Sequence, residues 1–418
     1  MGLKINDIKA EIIYSKRRLR QRGVDYAAVF KDMSASVKQE IEEIRTLRNN
    51  GLSVIPEIDF KSLGEKGLSD DDRALVKKRG CVIIRNTFES SLAQGWNEEL
   101  GRYIEEVGYY ENPDKGLDKY FSSLQEGKYH HPQIFSVYWS RPQVQARQHA
   151  NLATVRRFLN GLWKYHVDGK PIFDPDQECT YADRTRRRQP GDDSLGIKPH
   201  IDGGSVERWL ENSGYQSVYR HLLDGNWENY DPFDAAYRTE TSQISSPAVC
   251  SMFRTFQGWT ALSSQGPGDG TLQLIPSARV LGWMILRALQ DDVPDDELCG
   301  AQPGRALSCE PEWHDLVLEG LCTIPEMQVG DSIWWHGDLV HAVEDEHNGK
   351  ESSNVIYIGA APYCEKNVSF LDAQAKCFMV GKSSPDFAAE DYELDFEGRS
   401  RISDLSELGK KQMGIEAW

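Results

Sequence analysis

Long apolar runs are missing from this chain: its most hydrophobic stretches, such as Val82-Ile83-Ile84, last only a few residues. A membrane-crossing helix needs about twenty, so no membrane partner is expected. No secretory leader is expected either. The opening MGLKIND is polar and lacks the charged-then-apolar layout of a secretory signal, while Asn6 stands where N-myristoylation requires Ser or Thr. The expected location is the cytoplasm. The eight cysteines include no CxxC pair and no Cys/His zinc spacing, which excludes a zinc ribbon and a dithiol redox motif. In an intracellular protein they read as free, mostly buried thiols. Positive charge is also scarce. A net charge of −17 repels nucleic-acid phosphates, so no nucleic-acid partner is expected. Two basic clusters interrupt the acidity, residues 16–22 (KRRLRQR) and 184–188 (RTRRR). Both read first as a solvated helix face and a surface loop; the second is kept as a candidate grip for an anionic substrate. Internal repeats and low-complexity segments are absent.

What is present describes a globular protein. The 418 residues, 39% apolar and 10% aromatic, suffice for one large domain with additions or for two domains. Phe30, Met33, Val37, Ile41, Ile44 and Leu47 recur at helical spacing, predicting an amphipathic helix that Asn49-Asn50-Gly51 ends. Short strands are expected at residues 54–58 and 80–85, with a charged helix at 69–78 between them and mostly helix over 90–165. From about residue 195 short β-rich runs separated by Gly, Pro and Asp take over, at 248–262, 270–275, 331–335, 339–343 and 354–360. Such a pattern predicts a sandwich or barrel. Residues 205–245 read as a long insertion and 281–320 as a helix followed by a loop. The expected organisation is an N-terminal helical extension (1–75), a β domain with helical insertions (76–380), and an acidic C-terminal arm (381–418) that covers the body or trails from it.

Two segments carry candidate chemistry. In KPHIDGG (198–204), His200 and Asp202 lie two apart on an extended chain and so share a face. Pro199 favours extension, and Gly203-Gly204 permit a sharp exit. In GDSIWWHGDLVHAV (330–343) a histidine stands on each side of a Gly-Asp turn. His336 and His341 are five apart, an odd number, so one unbroken strand would point them to opposite faces. His341, inside the second apolar strand, is the expected ligand; His336, at the turn, is expected to support the metal site from behind or to be structural. Two imidazoles and one carboxylate leave three metal positions open, the arrangement of non-haem Fe(II) oxygenases, whereas a structural zinc site closes all four. The competing reading is a pair of hydrogen-bonded structural histidines beside a chance HxD.

KPHIDGG, then GPGDGTLQLIPSAR (266–279), then GDSIWWHGDLVHAV resemble, in that order, the motifs of the phytanoyl-CoA-dioxygenase-like branch of the Fe(II)/2-oxoglutarate oxygenases. The whole chain looks like the YbiU-like subfamily within it. The motif match covers about residues 195–365. This resemblance implies a mainly β fold, a double-stranded β-helix (a jelly-roll, cupin-like barrel) flanked by N-terminal helices, with Fe(II) held by His200, Asp202 and His341. It implies 2-oxoglutarate and O2 as cosubstrates, decarboxylation to succinate and carbon dioxide, and hydroxylation of a small organic molecule, with no catalytic residues beyond the metal ligands. Halogenating relatives replace the acid with a small residue, so an intact Asp202 argues against halogenation.

One departure stands out. The family places an arginine about ten residues after the distal histidine to pair with the far carboxylate of 2-oxoglutarate, but residues 349–355 read GKESSNV. A buried carboxylate needs a cationic partner or several donors. Arg254 is the first candidate, with Lys350 and Arg279 behind it; the alternative for Arg254 is a strand arginine facing solvent. Tyr129, Tyr138, Trp139 and Trp209 are candidate substrate-pocket residues, with core packing as the alternative for each. His130-His131 are not expected to be ligands, because adjacent side chains on an extended chain diverge. Oligomeric state is not readable. Two other functions fit the same residues: a cupin-like metal enzyme without 2-oxoglutarate, and a non-catalytic metal- or ligand-binding sensor.

Overall fold

The computed structural model describes residues 2–64, 68–111 and 132–418. Four helices dominate the N-terminal quarter: α1 (Ile8–Arg20), α2 (Tyr26–Asn49), α3 (Asp70–Arg79) and α4 (Ser90–Glu106). Asp7 and Asp25 cap α1 and α2 by accepting the Ala10 and Ala28 amides, satisfying donors that the helix itself cannot pair. The predicted stripe of α2 is real: Met33, Val37, Ile41 and Ile44 are buried, in one core with Leu281 and Ile285 of the helix Val280–Arg287. Lys16, in the first basic cluster, is not solvated. Its ammonium donates to the carbonyls of Val293, Pro294 and Glu297.

Strands enter in chain order as β1 (Glu57–Asp59), β2 (Cys81–Arg85), β3 (Ile134–Phe135), a small hairpin of β4 (His166–Val167) and β5 (Lys170–Pro171), then β6 (Asp174–Cys179), β7 (Thr185–Arg188) and β8 (His200–Ile201). After the insertion come β9 (Phe256–Ala261), β10 (Leu272–Leu274), β11 (Leu307–Ser308), β12 (Cys322–Thr323), β13 (Ser332–His336), β14 (His341–Val343) and β15 (Ser353–Tyr363). They form one sheet in the order β1-β2-β13-β9-β15-β7-β3, with β6 on the far end of β15, and a second in the order β11-β8-β14-β10-β12. Every pairing in the two sheets is antiparallel except β1 with β2. A cavity of about 590 Å³ lies between them, lined by β7, β9 and β15 on one side and by β8, β10 and β14 on the other.

The expected mainly β composition needs correction. The fold is mixed, 38% helical and 17% strand. Helices pack outside the sheets, and residues 205–245 fold into short helical turns rather than strands. The cysteines are free, six buried and Cys250 and Cys377 half-buried. No helix among the described residues is long and apolar enough to cross a membrane. The last forty residues lie against the body, with Phe387, Leu405 and Met413 buried. There the Glu393 carboxylate accepts the Tyr138 and Trp139 amides at 2.7 and 2.8 Å.

Candidate metal centre

His200 and His341 are register partners across β8 and β14, so their side chains leave the second sheet side by side on one face. Asp202 follows two residues after His200 and turns to meet them. One carboxylate oxygen is 3.5 Å from His200 Nε2 and the other 3.7 Å from His341 Nε2. One donor atom from each of the three residues fits within 4.8 Å of the others, a spacing one ion can bridge. Both imidazoles are oriented from behind. His200 Nδ1 lies 2.7 Å from the Lys198 carbonyl and His341 Nδ1 3.1 Å from the Leu339 carbonyl. A carbonyl only accepts, so each Nδ1–H donates and each Nε2 is turned toward Asp202, offering a lone pair to a metal whenever its ring is neutral.

The carboxylate is oriented too. Gln257 Nε2 donates to Asp202 at 2.6 Å, and Trp335 Nε1 donates to Gln257 Oε1 at 2.9 Å. Gln257 and Trp335 are themselves register partners across β9 and β13. The indole fixes which end of the amide faces the acid, an arrangement that commonly tunes metal ligands. Beyond the acid the chain turns sharply at Gly203 (φ +84°) and Gly204 (φ +105°), a conformation that favours glycine. Arg208 straps this turn by donating to the Asp202 and Gly204 carbonyls, and the Tyr215 hydroxyl donates to Gly203. Arg208 also pairs with the buried Asp338, which Arg238 grips from the other side at 2.7 Å.

Charge within the site is polarised. Burial disfavours ionisation of Asp202, but the two imidazoles and Arg254 outweigh it and hold the carboxyl well below the usual range. Burial pushes His341 down to about 4, with His200 adding to the effect. His200 feels the same burial penalty, yet its hydrogen bond to Asp202 and the acid's charge raise it above the ordinary value.

Other expected residues fall in different places. His336 is buried away from the triad: Nδ1 accepts the Asp338 amide, Nε2 donates to the Pro232 carbonyl, and the ring stacks on Trp163 at 4.7 Å. Of its two expected roles, support of the metal site and a structural one, these contacts are those of a structural residue. Trp335 and His336 are adjacent on β13 and point oppositely, and it is Trp335 that faces the cavity. The odd-number argument separated the two histidines for an incomplete reason, since β13 and β14 belong to different sheets.

Arg254 lines the cavity. Arg279 and Lys350 do not: Arg279 pairs with Glu40 of α2, and Lys350 is exposed on the connection before β15. Tyr138, Trp139 and Trp209 are core residues, each at most 1% exposed, and none lines the cavity. Trp209 Nε1 is bound to the Ile285 carbonyl and Trp139 Nε1 to the Lys382 carbonyl. Tyr129 and His130-His131 lie outside the described residues.

The second basic cluster is not a surface loop. Period-two alternation along β7 aims Arg184, Arg186 and Arg188 into the cavity and leaves Thr185 and Arg187 on the other face. That signal is present in RTRRR itself. Arg188 closes one end of the cavity by donating to four carbonyls, those of Gly270, Glu344, Asp192 and Asp345.

Residues 6–415 match the model of the Gig2-like family. The chain belongs to the Gig2-like family. Escherichia coli K12 YbiU is 39% identical over 412 residues, covering 98% of this chain and 97% of the relative, in keeping with the YbiU-like resemblance. A Salmonella typhimurium LT2 structure, whose name places it provisionally among the oxidoreductases, superposes with a TM-score of 0.92 at 40% identity over 99% of both chains. The GlcNAc Inducible Gene 2 protein of Candida albicans superposes with a TM-score of 0.81 at 27% identity, over 100% of this chain and 91% of its own.

Proposed function

We propose that this protein is a non-haem Fe(II)/2-oxoglutarate-dependent oxygenase that hydroxylates a small organic molecule inside a double-stranded β-helix. The observation that carries this reading is the triad itself. Two imidazole lone pairs and one carboxylate converge from one side, leaving a metal's remaining positions to open on the cavity. The donor set suits Fe(II), and nothing closes it as a structural zinc site would be closed. The two antiparallel sheets facing each other across the cavity support the barrel reading, and the name of the Salmonella relative is in keeping with redox chemistry.

Iron, when bound, would supply the coupling of O2 to decarboxylation of 2-oxoglutarate and oxidation of a substrate C–H bond. The protein's own residues do the rest. His200, Asp202 and His341 hold the metal, and Gln257 keeps the carboxylate turned toward it. The candidate partner for the far carboxylate of 2-oxoglutarate is Arg186. Arg186 is the register partner of Val355, so the neighbouring strand delivers a guanidinium to the stretch where the family's arginine is missing. Arg186 is 7% exposed, its Nε has no partner, and Tyr357 lies against it. Leu272, Val343, Val355 and Ile358 give the cavity apolar walls that limit water near the reacting groups.

The test is anaerobic titration of the Fe(II)-loaded protein with 2-oxoglutarate, followed by the weak visible charge-transfer band of the chelate. The band is expected for the wild type and, at the same concentrations, lost in Arg186→Gln. Iron uptake with no band in the wild type would favour the cupin-like metal enzyme, and no iron uptake would favour the sensor.

A further inference from the structure

The cavity carries more positive charge than the cosubstrate uses. Six cations line it, Arg184, Arg186, Arg188, Lys198, Arg254 and Arg305, against three carboxylates, Asp183, Asp202 and Glu310. This is a local reversal in a chain of net charge −17. Most of the six are accounted for. Arg184 pairs with Asp183 and stacks on Phe387, Lys198 pairs with Glu310, and Arg188 is bound by four carbonyls. With Arg186 assigned to the far carboxylate of 2-oxoglutarate and Asp202 to the metal, Arg254 and Arg305 remain.

Arg254 is the informative one. It makes no hydrogen bond or close ion pair among the described residues: its guanidinium lies over the Tyr181 ring, 4.9 Å away, and feels the Asp202 and Asp183 charges only from a distance. A guanidinium has five donors, and leaving them unmatched in a partly dry site is costly. Position separates it from Arg186. Gln257, which holds Asp202, is the register partner of Gly359, and Gly359 also makes room for the Arg254 side chain. Arg186 pairs with Val355, four residues farther along β15, about 13 Å at the usual strand rise. Arg254 thus stands at the level of the metal, and Arg186 toward the end that Arg188 closes. Arg305 is exposed just before β11, whose Leu307 pairs with Ile201 beside the HxD acid.

We propose that the primary substrate carries an oxyanion, a carboxylate or a phosphate, which Arg254 receives in a forked contact while Arg305 attracts it at the rim. Guanidinium geometry matches either group bidentately. The inference rests on the oxygenase reading for its substrate, but its binding chemistry is testable without turnover.

The experiment is calorimetric titration of the purified full-length protein with inorganic phosphate and, separately, with acetate. Mn(II) uptake is measured on the same preparations. At least one oxyanion is expected to bind, and whichever binds tighter identifies the group. Arg254→Gln should weaken it by at least about tenfold, Arg305→Gln by about threefold, and Arg186→Gln, which removes the cosubstrate's anchor, by less than Arg254→Gln. Arg305 is exposed, so its variant keeps the test open if Arg254→Gln fails to fold. Absence of binding by both anions overturns the proposal, as does binding that survives in both Arg254→Gln and Arg305→Gln or depends on Arg186 instead. Oxyanion binding through Arg254 in a protein that takes up no Mn(II) keeps this inference and sinks the oxygenase reading. Mn(II) uptake without oxyanion binding does the reverse.

Discussion

Two carboxylates near each other in this protein, Asp338 buried and Asp202 half-buried, are each flanked by two nitrogen-bearing side chains. Asp338 sits between Arg208 and Arg238, whose charge is permanent. Asp202 sits between His200 and His341, and His341 is held neutral by burial. Around Asp338 the cations are supplied by the protein itself, and the group acts as a clamp: through Arg208 it fixes the turn after Asp202. Around Asp202 the donors are an amide and imidazoles whose lone pairs face inward. Such a cluster can take a cation from outside, either a proton on His200 or a metal held by all three residues. The two acids differ in role because permanent cations flank the one and titratable imidazoles, at a half-buried position open to the cavity, flank the other.

The largest expected effects break this pair from both sides. Asp338→Ala leaves two buried guanidinium groups without their carboxylate and should destabilise the fold by about 3–5 kcal/mol, seen as a lowered midpoint in urea. Asp202→Ala should lower that midpoint little in the metal-free protein and abolish Mn(II) uptake measured by calorimetry. Equal destabilisation by the two variants would erase the distinction. A smaller effect is expected at the orienting amide. Gln257→Leu should keep the fold and reduce metal affinity by about 10- to 100-fold; unchanged affinity would show that Asp202 needs no orientation from behind.

The sequence makes the metal triad readable because its signals are local or nearly so. HxD needs only the period-two rule, and the apolar strand around His341 marks a rigid support. The helix stripe of α2 is readable for the same reason, through a period of 3.6. The unreadable features depend on register between distant strands. Nothing in the local pattern says that His200 faces His341, that Gln257 faces Trp335, or that Arg186 faces Val355. Hence no arginine is legible along the strand after His341, although Arg186 on the neighbouring strand lies beside Val355. Aromatic residues mislead for another reason. Tyr138, Trp139 and Trp209 have the composition of a pocket, but hydrophobic burial does not distinguish a cavity wall from a filled core.

The comparison sharpens further with acid. His336, next to the Asp338 clamp, and His314 are both held neutral in the fold, pushed down to about 4 chiefly by burial. Above an unfolded value of 6.5 both states are neutral and stability is complete. Between 6.5 and 4 the unfolded chain takes up protons that the folded one refuses, so stability falls as pH falls, by about 1.4 kcal/mol per pH unit for each histidine. His336→Gln should remove one such contribution from the slope measured in urea between pH 6.5 and 5, and an unchanged slope would show that His336 titrates normally in the fold.

The smallest effect is expected at Arg279. Its pairing with Glu40 is half-exposed and worth under about 1 kcal/mol, and its side chain is outside the cavity. Arg279→Ala should therefore barely move the urea midpoint and leave the 2-oxoglutarate charge-transfer titration as in the wild type, in contrast with Arg186→Gln. A weakened titration in Arg279→Ala would mean that the cosubstrate reaches the α2 side of the second sheet, outside the cavity, and would withdraw the assignment of Arg186.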